Sequence, residues 1–138
     1  MTVIKSLSIG LGLFLIIMGV KKVSGDIAVF ELIEIYTGLN YADPAGRWIT
    51  SLLEIVSGTL LLIGKRVWGG ALAMAILVLA LIFHLSVLGI YTPVSTAENA
   101  PESPILFLLA LSGFLTAMYV TSREYLNENP NFLTLNVE

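Results

Sequence analysis

The sequence predicts an all-α integral membrane protein: a single domain of four membrane-spanning helices, with a short interfacial helix between helices one and two. Three observations predict it. The chain has 138 residues, of which 57% are hydrophobic and only 12% charged; soluble domains have about 45–50% and about 25%. Mean hydropathy is +0.90. The apolar residues are gathered into four runs near the length that crosses a hydrocarbon layer, about 20 residues with a range of about 17–25.

The first run covers 3–20. Only Lys5 precedes it, Lys21 and Lys22 follow it directly, and no small-x-small pattern marks a cleavage site. It therefore reads as a retained helix and not as a removed signal. The second run is 48–63, the third 67–90 and the fourth 104–121. Pro104 suits a first helical turn, where its missing N–H costs nothing. Gly64-Lys65-Arg66 is too short for anything but a tight turn, so helices two and three are antiparallel neighbours. Residues 91–103 are rich in Pro, Ser, Thr and Glu and read as a solvated loop. The first connection is longer. Its segment 27–35 is apolar except for Glu31 and Glu34, which share a helical face, and predicts a short helix on the membrane surface or tucked over the bundle. Residues 36–46 carry Gly38, Asn40, Asp43 and Pro44 and read as turns. The tail 122–138 is polar.

Composition narrows the chemistry. There is no cysteine, which excludes disulfides, thiolate catalysis and thiolate metal sites. A net charge of −3 gives no support for nucleic-acid binding. One histidine cannot supply a multi-histidine zinc or copper set, so no metal site is expected. Lys5, Lys65, Arg66 and Arg123 fall on one side of the four-span layout, and Lys21, Lys22 and Arg47 on the other. The basic turn between helices two and three places both termini in the cytoplasm. Trp48 and Tyr91 fall at one interface and Trp68 at the other.

The candidate site consists of polar groups inside the oily segments, where such residues are costly and mark function. Glu54 lies about six residues into helix two, and His84 about six before the end of helix three. At about 1.5 Å per residue each is roughly 9 Å deep, on the same side. Helix one ends on that side at Lys22. Helical spacing groups Gly12, Leu15, Gly19 and Lys22 on one stripe, and Ser51, Glu54, Ser57 and Gly58 on another. Ala73, Ala80 and His84 form a third, and Ser112, Gly113 and Thr116 a fourth. Small residues let helices approach closely in lipid, so these stripes should face inward.

Each residue also has a plainer explanation. His84 serves equally as a satisfied bundle histidine, Glu54 as a helix staple, and Lys22 as a snorkelling helix-end lysine. Convergence of three helices on one level argues for a polar pocket of Lys22, Glu54, Ser57 and His84. A carboxylate isolated from water picks up a proton unless a lysine or imidazolium stands beside it. A direct Glu54–Lys22 or Glu54–His84 hydrogen bond is therefore expected. Such a pocket offers donors and acceptors to an amphiphile, a quinone head group among them.

Three motifs resemble the DoxX-like family of small four-helix membrane proteins: Gly19-x-x-Lys22, the Leu53-Glu54…Gly58-x-Leu60-Leu61 helix, and Phe83-His84-Leu85 ending the helix after the basic turn. They cover helices one to three; helix four matches by hydropathy. The resemblance implies a small subunit associated with a membrane or redox protein, or an assembly factor, with homo-oligomers allowed. The lack of cysteine departs from relatives that handle thiols. Two function classes thus stand: a redox-associated subunit with an amphiphile pocket, and a non-catalytic scaffold for a larger membrane complex.

Overall fold

The computed structural model describes residues 2–25 and 27–130. It is all-α apart from one minimal strand pair. The helices are α1 (Thr2–Ser24), α2 (Val29–Thr37), α3 (Arg47–Leu62), α4 (Arg66–Phe83) and α5 (Ile105–Glu128). A π-type turn, Ala42–Gly46, leads into α3, and another, His84–Leu88, continues α4. Three helices are long and apolar enough to cross a membrane: Thr2–Ser24, Arg66–Leu88 and Ile105–Glu128. The second predicted run forms a helix within a residue of its expected ends. Its 16 residues span about 24 Å, short of the roughly 30 Å hydrocarbon core.

α1 packs on α3, α3 on α4, α4 on α5, and α5 returns to α1. The small-residue stripes explain how closely these helices approach. A Cβ built on Gly58 would stand 2.5 Å from the Gly12 carbonyl oxygen, so the α1–α3 crossing tolerates no side chain there. Ser8 Oγ donates to the Leu61 carbonyl across the same interface at 3.2 Å. The core is thin and aliphatic, with Leu11, Leu15, Leu61, Leu77, Ala117 and Val120 at its centre.

α2 lies where the short helix was expected. Leu32 and Ile33 are buried against Leu88 and Phe83, so its apolar face closes one end of the helix assembly. Glu31 is exposed and Glu34 half-buried. Gly38 ends α2 in the left-handed region at φ 71°, and its N–H donates to the Glu34 carbonyl.

Three details depart from the sequence reading. The loop 91–103 is not without structure: Thr92–Pro93 pairs antiparallel with Glu102–Ser103. α5 continues to Glu128, past the expected exit at 121, because Glu124 reaches back to Arg66 at 2.7 Å and holds the last turns against α4. The part of the polar tail at 131–138 lies outside the described residues. On α5, Ser112 is exposed and Thr116 half-buried, so the inward face is instead Ala110, Gly113, Ala117 and Val120. Their hydroxyls bond their own helix: Thr116 Oγ1 donates to the Ser112 carbonyl at 2.8 Å, and Ser112 Oγ to the Leu109 carbonyl at 3.2 Å. Helix hydroxyls satisfied this way need no neighbouring helix.

Candidate functional site

Three of the four predicted residues come together at the end capped by α2. Lys22, in the last turn of α1, donates to Glu54 on α3, with Nζ 2.5 Å from Oε1. The Glu54 side chain is 4% exposed and that of Lys22 13%, so the pair is enclosed by protein. Of the two expected contacts, the lysine one is present. Glu54 is held inward because Ser51, Glu54, Ser57 and Gly58 all fall on the buried face of α3. The Lys22 ammonium also stands 5.9 Å from the centre of the Phe30 ring, within the range of a cation–π contact. α2 supplies that ring.

The second carboxylate oxygen differs. Glu54 Oε2 is buried and has no hydrogen-bond partner among the described residues. Buried polar oxygens are nearly always paired, so an orphan of this kind asks for an explanation. Glu54 lines a cavity of about 60 Å³ whose wall also holds Lys22, His84, Phe14, Met18 and Leu109. A second cavity of about 70 Å³ lies alongside, walled by Thr50, Ile76, Leu79 and Phe83. Lys22, Val29, Ala80 and His84 contribute to both. The walls are otherwise aliphatic and aromatic.

His84 is 4% exposed and sits where α4 passes into the π-type turn. Its Nδ1 lies 3.1 Å from the Gly89 carbonyl and 3.1 Å from Thr92 Oγ1. Thr92 Oγ1 is itself 3.2 Å from the Gly89 carbonyl. A carbonyl oxygen only accepts. All three contacts are therefore satisfied together when Nδ1 carries the hydrogen and the Thr92 hydroxyl donates to Gly89. In the neutral ring Nε2 is then the acceptor. The Phe107 ring meets the imidazole edge-on, with centroids 5.9 Å apart and planes at 77°. Thr92 is 1% exposed and fixes the ring's orientation.

Ser57 does not join the trio. Its hydroxyl donates to the Gly69 carbonyl at 2.7 Å, and it lines neither cavity. It is a staple between α3 and α4, one turn further along the same face. Sequence reading missed Thr92, Gly89 and Phe30. Thr92 sits in a stretch whose composition signals only a loop, and Gly89 falls within the predicted run 67–90, where nothing marks its carbonyl as a partner for His84. Phe30 was visible as an apolar residue of the short helix, with nothing in the sequence to place it over Lys22.

No cluster of metal-ligating side chains occurs among the described residues. Comparison with known protein families, curated proteins and solved structures finds no match.

Proposed function

We propose that this chain is a four-span, DoxX-like membrane protein whose Lys22–Glu54–His84 site holds the polar head of an amphiphile, a quinone in the first instance, as a small subunit of a redox assembly. The observation that carries the reading is the enclosed ion pair beside a cavity, with one buried carboxylate oxygen that has no partner among the described residues. Burying an ion pair costs desolvation that a hydrophobic pair of similar volume avoids. Its presence in so apolar a chain is accounted for by what it can bind.

Several features support the membrane layout. Helical backbone runs from Pro44 into α3 without a break, Asp43 being the non-helical residue. Counting from there brings the fourth element to roughly 28 Å, close to the hydrocarbon thickness. Trp48 and Tyr91 are exposed near the α2 end and Trp68 near the other, as an aromatic belt requires. α2 then lies at the outer interface with its charged face outward. Ion pairing strengthens the orientation with both termini inside. Lys22 and Arg47 are neutralised by Glu54 and Asp43 on one side, and Arg66 by Glu124 on the other. Among the described residues this leaves Lys5, Lys65 and Arg123 without a carboxylate partner on the inner side, against Lys21 on the outer.

Cavity size favours a second reading. A cavity of about 150 Å³ is what takes up a benzene ring, and each of the two here is less than half of that. In a scaffold or assembly factor the trio would simply lock α1, α2, α3 and α4 together while a larger membrane partner binds elsewhere. Purification in native lipid separates the readings. The amphiphile reading expects near-stoichiometric quinone in the extract, and its loss from the Glu54→Gln protein. A quinone-free preparation that brings down a stoichiometric membrane partner, unaffected by Glu54→Gln, supports the scaffold.

A further inference from the structure

We propose that this site recognises a hydrogen-donating head group, one bearing hydroxyls, in preference to a head group that only accepts. The inference rests on the amphiphile reading and names its ligand class. In the wall of the first cavity, the Lys22 ammonium gives one of its three N–H groups to Glu54 Oε1 at 2.5 Å. Glu54 Oε2 is a buried acceptor with no partner among the described residues. Glu54 is 3% exposed, so that oxygen lies away from the protein surface. His84 Nδ1 is engaged by Gly89 and Thr92, and His84 lines the same cavity, so Nε2 is the ring nitrogen left to act as a second acceptor when the ring is neutral. The polar wall thus carries a buried acceptor in Oε2 with no partner among the described residues, beside a Lys22 ammonium that has donors to spare.

A carbonyl oxygen brought to this wall can accept from Lys22 but leaves Oε2 unpaired. A hydroxyl brought there can donate to Oε2 and accept from Lys22 at once. A buried acceptor discriminates, because the wrong ligand leaves it unpaired. The mouth suits an amphiphile. Phe14, Met18, Leu106 and Leu109 are half-buried apolar residues of α1 and α5 that line the cavity, and would carry an alkyl tail outward between those helices. Val29 and Ala80 belong to the walls of both cavities, so their displacement would join the two into a space close to that of a six-membered ring. The donor chemistry has two sources, a hydroquinone or the hydroxyls of a glycerol head group.

The test uses the full-length protein in lipid discs and four probes of equal tail length: a decyl hydroquinone, its quinone, its dimethyl ether, and decyl glycerol. The hydroquinone should bind at least about tenfold more tightly than quinone and ether, the difference expected for one or two unpaired buried acceptors. Tighter binding by decyl glycerol than by the hydroquinone also supports a donor site and assigns it to a lipid head group. Equal binding of hydroquinone, quinone and ether overturns the donor preference while leaving the amphiphile reading intact. Binding of none of the four overturns both. A His84→Phe variant, which keeps a ring but removes Nε2, should narrow the hydroquinone-to-ether ratio; an unchanged ratio excludes His84 as the second acceptor. The four-probe comparison on the unaltered protein decides the matter even where that variant fails to fold.

Discussion

Two ion pairs cross between helices, one near each end of this protein, and they do different things. At one end Lys22 meets Glu54 at 2.5 Å with side chains 13% and 4% exposed. At the other Arg66 meets Glu124 at 2.7 Å with 22% and 17% exposed. Both leave polar atoms without partners among the described residues: Glu54 Oε2 at the first, Arg66 Nε and Thr121 Oγ1 at the second. The surroundings separate them. Thr121 packs against Gly70, and Ser57 bonds the Gly69 carbonyl, so the Arg66 end is closed by direct α3–α4–α5 contact. The Glu54 end is held slightly open by Val29, Ala80 and His84, with cavity space on both sides. One pair fastens a helix tail, and the other presents a vacant oxygen. Ionic groups in an apolar chain are therefore judged by what surrounds them, not by their presence.

The comparison is most easily broken at Glu54. Glu54→Ala strands the Lys22 ammonium, and an uncompensated buried charge costs about 3–5 kcal/mol. The expected result is a large fall in melting temperature in detergent. Replacing Lys22 and Glu54 together by Met should recover most of the loss, because apolar groups of similar size substitute well for a buried ion pair. A double variant as unstable as the single one would show that the pair itself, not the stranded charge, holds the fold.

A smaller effect is expected at the α1–α3 crossing. Gly58→Ala forces a methyl group against the Gly12 backbone and should cost about 1–3 kcal/mol through overpacking. Opening this contact also shifts Glu54 relative to Lys22, so quinone retention should fall with stability. Retention that survives a clear loss of stability would uncouple the site from the crossing.

Thr92→Val sharpens the contrast from the histidine side. It removes a buried hydroxyl that accepts from His84 and donates to Gly89, at an expected cost of about 1–2 kcal/mol. The His84 imidazole nitrogen signals in NMR should shift, since Nδ1 keeps Gly89 alone. Unchanged signals would dismiss Thr92 as the group that orients the ring. The smallest effect belongs to the other pair. Glu124→Gln should cost less than about 1 kcal/mol, as for other partly exposed pairs, and should leave ligand retention untouched. A loss as great as that from Glu54→Ala would erase the distinction between the two ends.

Much of the scaffold was legible in the sequence, and specific residues show why. The run 48–63 became Arg47–Leu62, since period and composition there agree and Arg66 opens the next helix after a tight turn. Ser51, Glu54, Ser57 and Gly58 were readable as one face because a helix repeats every three to four residues, and that face is buried. Depth and helical face together brought Lys22 and His84 alike within reach of Glu54. Ser57 shows the limit: sharing a face with Glu54 did not bring it to the same cavity, since one helical turn sets it against Gly69 instead. Ser112 shows another. A hydroxyl on a helix bonds its own backbone, so a polar stripe does not by itself mark the inward side. Thr92 was illegible because its role depends on a π-type turn and a two-residue strand pair that fold the loop back onto His84.

By itself the sequence determined the helices, their apolar character and the level at which acid, imidazole and amine meet, because hydrophobic period and residue rise are local properties of the chain. Only the tertiary structure decided which partner Glu54 takes, which nitrogen of His84 is engaged, and which carboxylate oxygen stays vacant. Those outcomes depend on distances of a few ångströms between helices, and such distances are set by side-chain volumes packed from every direction at once.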